Sequence, residues 1–187
     1  MVPLTELWLP ILLSAVIVFI ASSILHMVLP YHHSDYKQLP DEEKVRSALR
    51  GMNLKPGVYH FPFCTHKEMN TEAAKAKFVQ GPNGLVTIMP TGPVNMGKYL
   101  GQWFVFCILI SFFVAYLTGR TLAPGTHYLQ VFRVAGVAAF LAYGLANFSS
   151  GIWKGQPWSN VIKEVVDGLI YALLTAGTIG WRWPHGM

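Results

Sequence analysis

The chain has 187 residues, of which 52% are hydrophobic, 13% aromatic and 12% charged. A soluble domain carries about 25% charged residues, so this composition excludes a disordered chain, a coiled coil and an ordinary cytosolic enzyme. The net charge of +5 reads first as a membrane-topology signal and only second as affinity for nucleic acid.

The first apolar run, Leu7 to Leu25, contains no charge. At about 1.5 Å per residue it is long enough to cross a hydrocarbon core of about 30 Å with some flanking residues. Transmembrane helix 1 is therefore expected over 5–29. The leader holds Glu6 and no basic residue, which suits a retained span better than a secretory signal.

A polar segment, 30–98, follows and is expected to fold as a small α+β loop. Asp41 to Arg50 starts acidic, ends basic and stops at Gly51, which predicts a short helix. Gly57 to Phe63 reads as a strand whose proline suits an edge. Thr71 to Gln80 reads as a second helix, capped by Asn70 or Thr71 and closed by Gly81. Leu85 to Met89 reads as a second strand. An insert of this size buries little surface alone.

Three more spans follow, at 99–119, 128–149 and 161–183. The second is uncharged from Tyr99 to Gly119, the third contains Arg133, and the fourth carries Lys163, Glu164, Asp167 and Arg182 toward its ends. Trp8, Trp103, Trp153, Trp158, Trp181 and Trp183 all fall at or just beyond span ends, the level that indole rings prefer. The fold class expected is an all-α membrane protein of four transmembrane helices with the α+β loop between helices 1 and 2.

Orientation follows from the basic residues. The loop holds nine Lys or Arg against six acids, while the opposite side has only Arg120, Arg182 and the shallow Arg133. The positive-inside rule places the loop in the cytoplasm and both termini in the periplasm. A loop charge of +3 suits anionic headgroups better than nucleic acid, which is not an expected partner.

Depth then groups the polar residues. His26, Gln102, Asn147, Glu164 and Asp167 are expected near the cytoplasmic mouth, with a contact between His26 and Asp167. Acids within a span cost about 2.5–3.5 kcal/mol near its centre, so these residues face protein or water. Arg133 lies toward the other face, where snorkelling is the default and Tyr116, a headgroup phosphate or a partner subunit is the alternative partner. On the fourth span Gly168, Ala172, Ala176 and Gly180 recur every four residues, a stripe that lets another helix approach closely. His26, His32, His33 and Asp35 at the end of span 1, and His60, Cys64 and His66 in the loop, are ligand types for zinc, copper or iron. The candidates His32, His33, His60, Cys64 and His66 match no known motif in their spacing, so no cofactor is expected. Nucleotide-binding, zinc-protease and serine-hydrolase motifs are absent from the sequence.

The stretches SSILHMVLPYHHSDYKQLP, TGPVNMGKYLGQWF and VDGLIYALLTAGTIGWRWP resemble a family of uncharacterised bacterial four-helix inner-membrane proteins. The resemblance implies a bacterial inner-membrane location and carries no activity to any residue. The leading functional expectation is a small accessory or assembly subunit of a larger inner-membrane complex, a respiratory complex among the candidates. Its partners would be the lipid bilayer and other membrane subunits, or a second copy of itself. The alternative is a small transporter or channel-like protein with a polar site at the cytoplasmic mouth. A metal-binding or redox protein is the weaker third.

Overall fold

A computed structural model describes residues 1–185, which form two compact units: Met1–Asp35 together with the segment from Asn95 onward, and Tyr36–Val94. The chain is mostly helical with one small two-stranded sheet.

The smaller unit is built from local signals. Helix α2 spans Glu42–Gly51, and the Asp41 carboxylate caps it by accepting from the Lys44 N–H. Helix α3 spans Glu72–Gln80, and the Thr71 hydroxyl accepts from the Ala74 N–H. Gly81 ends that helix at φ +59, a left-handed conformation that favours glycine. Strands β1 (Gly57–Phe61) and β2 (Gly84–Ile88) pair antiparallel, with Gly57 opposite Ile88 and Phe61 opposite Gly84. Strand β1 is shorter than the expected Gly57–Phe63 and stops before Pro62, which has no N–H to donate to a ladder.

The larger unit is a helix bundle. Its elements are α1 (Trp8–Ser23), α4 (Met96–Thr121), α5 (Tyr128–Tyr143), the short α6 (Phe148–Lys154) and α7 (Trp158–Trp181). Three helical runs are long and apolar enough to cross a membrane: Trp8–Val28, Met96–Thr121 and Tyr128–Lys154. The third is interrupted at Gly144 by a tight turn over Leu145–Asn147. Helix α7 is as long, at 24 residues, but carries Lys163, Glu164 and Asp167, which lower its apolar character.

Helix α7 is nevertheless the centre of the bundle, packing chiefly on α5 and then on α1. The small-residue stripe makes this possible. A Cβ on Gly168 would lie 2.4 Å from the Gly144 Cα, and one on Gly180 would lie 2.8 Å from the Tyr128 ring. Ala172 and Ala176 between them are buried. Residue 168 therefore faces 144 while 180 faces 128, so α5 and α7 run antiparallel at near backbone contact. Helices α1 and α4 also run antiparallel. Val2 N–H donates to the Gly119 carbonyl at one end, and Trp103 Nε1 donates to Ser22 Oγ near the other.

The tryptophans divide into two groups. Trp8, Trp153, Trp158 and Trp181 are exposed, as an interfacial belt requires. Trp183 is instead buried and donates from Nε1 to the Ala123 carbonyl at 3.0 Å. Trp103, also hydrogen-bonded, packs edge-on against Tyr171 inside the bundle.

A candidate polar site at one end of the bundle

The site begins with how α1 ends. Past Ser23 the helix widens into a π turn over Ile24–Val28, in which the Leu29 N–H reaches back to the Ile24 carbonyl. Pro30 cannot continue a helix, and a 3₁₀ turn over Pro30–Ser34 folds the chain back over the helix end. That return stacks the His32 ring on the His26 ring, with centroids 4.1 Å apart and planes 20° from parallel.

Both imidazoles meet Asp167 of α7. His32 Nε2 lies 2.8 Å from Asp167 Oδ2, and His26 Nε2 lies 3.4 Å from the same oxygen. Asp167 is only 2% exposed. Its other oxygen, Oδ1, is buried with no hydrogen-bond partner among the described residues. A buried carboxylate is costly without partners, so the imidazoles are what make this position tolerable. His26 keeps one edge open, its side chain being 48% exposed.

A second carboxylate holds the first imidazole. His32 Nδ1 lies 2.5 Å from Asp35 Oδ2. Asp35 Oδ1 accepts from Lys163 Nζ at 2.6 Å, and the Asp35 carbonyl accepts from Asn160 Nδ2 at 3.0 Å. Lys163 also donates to the Tyr31 carbonyl and the Ser34 hydroxyl, so α7 pins the whole turn. Burial pushes the Asp35 carboxyl up. The hydrogen bonds and charges of Lys163 and His32 outweigh that and hold it below the usual carboxylate range. A neutral imidazole donates from one nitrogen only, so the row Asp35–His32–Asp167 is complete with an imidazolium, or with a proton on Asp167.

Asp167 opens on a cavity of about 210 Å³ whose lining includes His26, Trp103, Tyr143, Asn147, Glu164 and Tyr171. Four of the five residues grouped by depth thus share one cavity. Gln102 does not. It is exposed on α4, and Trp103, one residue and about 100° further round the helix, takes the inward position. Asn147 donates to the Tyr143 carbonyl, and Glu164 accepts from Gln156 at 2.8 Å. Tyr116 is met by Arg120, 5.5 Å over its ring, while Arg133 is exposed on α5.

Below Asp167 the core stays polar. Tyr171 and Thr175 follow it at four-residue intervals on α7, so the row extends about 12 Å into the bundle. Both are buried, as are Tyr143 on α5, Ser111 on α4 and Ser14 on α1. The hydroxyls of these five have no hydrogen-bond partner among the described residues. The contrast with Ser22, Thr118 and Thr178 is informative, because those three donate to carbonyls three or four residues back, as helix hydroxyls usually do. The Tyr143 hydroxyl lies beside Cys107 and Ser111 without a well-formed bond to either.

The loop ligand types do not assemble. His33 is exposed, His60 Nδ1 lies 2.9 Å from the Pro62 carbonyl, and Cys64 is a free thiol. Among the described residues, the grouping able to hold a metal ion is His26, His32 and Asp167, not the set His60, Cys64 and His66. Asp35, itself a ligand type in the sequence, supports it from behind His32, and Asn160 and Lys163, for which the sequence carries no such signal, hold Asp35. Pro30 after His26 was the available signal, since a break there lets the next histidines turn back. Comparisons with family models, with curated proteins and with solved structures give no match.

Proposed function

We propose that this chain is a four-span integral membrane protein of the bacterial inner membrane that works as a small transporter or channel-like protein for a cation, the proton included. Helix α7 is its fourth span. Its acids near one end face the bundle and the mouth of the site instead of lipid. The distribution of Lys and Arg supports a cytoplasmic loop and periplasmic termini, which places the Asp167 site at the cytoplasmic mouth. Labelling single cysteines at residue 45 and residue 124 with an impermeant reagent from outside checks this orientation. Residue 124 should react first, and preferential reaction at residue 45 would invert it.

The observation that carries the reading is the set of buried hydroxyls with no hydrogen-bond partner among the described residues, of which Tyr171 and Thr175 lead inward from Asp167 along α7. Hydroxyls that bond neither to carbonyls nor to one another are costly in a lipid-embedded core. They are the groups that relay a proton or replace the hydration of a passing cation. The accessory-subunit reading draws less support, because the small-residue stripe serves packing of α7 on α5 within the one chain.

The test is flux. Purified protein in liposomes, with an entrapped dye for pH or for divalent metal, should dissipate an imposed gradient. Thr175→Val and Ser111→Ala, which each remove one of these hydroxyls, should slow that flux by about tenfold, equivalent to about 1.4 kcal/mol each. Wild-type liposomes no leakier than empty ones to either ion would overturn the proposal.

A further inference from the structure

His26, His32 and Asp167 converge so closely that their ligand atoms all lie within 4.8 Å of one another. We infer that they form a divalent transition-metal site of the zinc class, with the Asp35 carboxylate as the group that orients His32. The inference rests on the transport reading for the site's purpose, and it names the ion the site takes.

Ligand chemistry selects the ion. Two imidazole nitrogens and one carboxylate suit zinc and its first-row neighbours, whereas magnesium and calcium take oxygen ligands. Separation fits as well. Ligands about 2.0–2.1 Å from a tetrahedral zinc sit about 3.3 Å apart, and His26 Nε2 is already 3.4 Å from Asp167 Oδ2. The 2.8 Å between His32 Nε2 and Asp167 is the length of a bond with a proton between the two. A metal takes that proton's place and opens the pair by about half an ångström.

The surroundings are those of a metal ligand set. Metal-binding histidines characteristically give their other ring nitrogen to a carboxylate, and His32 Nδ1 faces Asp35 at 2.5 Å. Asp35 is itself fixed by Lys163. Asp167 Oδ1, buried and without a partner among the described residues, is a further oxygen ligand on the same side chain. The adjoining cavity of about 210 Å³ leaves a coordination position for water or for onward transfer, as three-ligand sites require.

The test uses the full chain, purified through a tag free of histidine, stripped with a chelator and titrated with Co²⁺. One Co²⁺ per chain is expected, with visible ligand-field bands that Zn²⁺ abolishes by competition. Asp35→Asn should weaken binding about 10–100-fold while leaving one ion per chain. His32→Ala should remove it, and His33→Ala should leave it unchanged. The wild-type titration decides the matter even where a variant misfolds: no stoichiometric Co²⁺ bands would overturn the inference, as would full-affinity binding by His32→Ala. Binding without flux would contradict the transport reading and leave the metal site standing. Flux without binding would do the reverse.

Discussion

Gly168→Val is expected to lower the stability of the bundle by about 3 kcal/mol or more, the upper range for overpacking a close contact. The Cβ alone would sit 2.4 Å from the Gly144 Cα, 2.5 Å from its nitrogen and 2.6 Å from the Tyr143 carbonyl carbon. All three are backbone atoms, which cannot rotate away as a side chain would. Helices α5 and α7 would have to separate along their length, losing the Ala172 and Ala176 contacts as well. Asp167 is the adjacent residue, so the polar site would open at the same time. Gly101→Val is the control. A Cβ there meets nothing within 4 Å, and the change should stay within about 1 kcal/mol, the scale of helix propensity. Unfolding midpoints in detergent measure both, and equal midpoints for the two variants would contradict the α5–α7 contact.

Lys163→Met should cost about 3 kcal/mol and detach the turn that carries His32. The methionine keeps an unbranched stem of similar length and removes the ammonium. Three bonds go with it: to the Tyr31 carbonyl at 2.5 Å, the Ser34 hydroxyl at 2.8 Å and Asp35 Oδ1 at 2.6 Å. Breaking one side of a buried pair costs about 3–5 kcal/mol. Lys163 keeps 22% of its side chain exposed, which places the effect at the lower end. Asp35 would be left half-buried with only His32 to balance it. Adding Asp35→Asn to this variant should recover part of the loss, since the two residues share one interaction. Amide exchange across Tyr31–Asp35 should quicken in the single variant. Unchanged exchange and an unchanged midpoint would show that the turn is held by something else.

Much of this architecture is written in local chemistry. Asp41 and Thr71 cap their helices because a short oxygen-bearing side chain before a helical run has orphan N–H groups to satisfy. The glycine and alanine spacing on α7 announces close approach, although the spacing alone does not say whether the neighbour is α5 or another chain. The nearness of His26 and Asp167 follows from depth, because residues of antiparallel spans at equal distance from one face share a level. What depth does not supply is rotation. Gln102 and Trp103 lie at the same level, and only the packing of α4 decides that the indole faces in. Nor does periodicity anticipate the π turn and the 3₁₀ turn that lay His32 over His26. Those depend on how Pro30 redirects the chain and on Lys163, which is 132 positions away from the Tyr31 carbonyl it holds.

The same rotation argument accounts for the tryptophans. The ends of the four expected spans would place all six near the membrane faces, but Trp183 finds the Ala123 carbonyl and Trp103 finds Ser22. An indole N–H with a protein acceptor in reach has no need of the headgroup layer.

The most direct test of the whole account is the rate at which liposomes containing wild-type protein, or Asp167→Asn, dissipate an imposed gradient of protons or of Zn²⁺. The amide of asparagine keeps the size of the aspartate and loses its charge. Flux is expected from the wild type and at least a hundredfold less from Asp167→Asn at equal protein load, about 2.7 kcal/mol. Equal flux from the two proteins would contradict it.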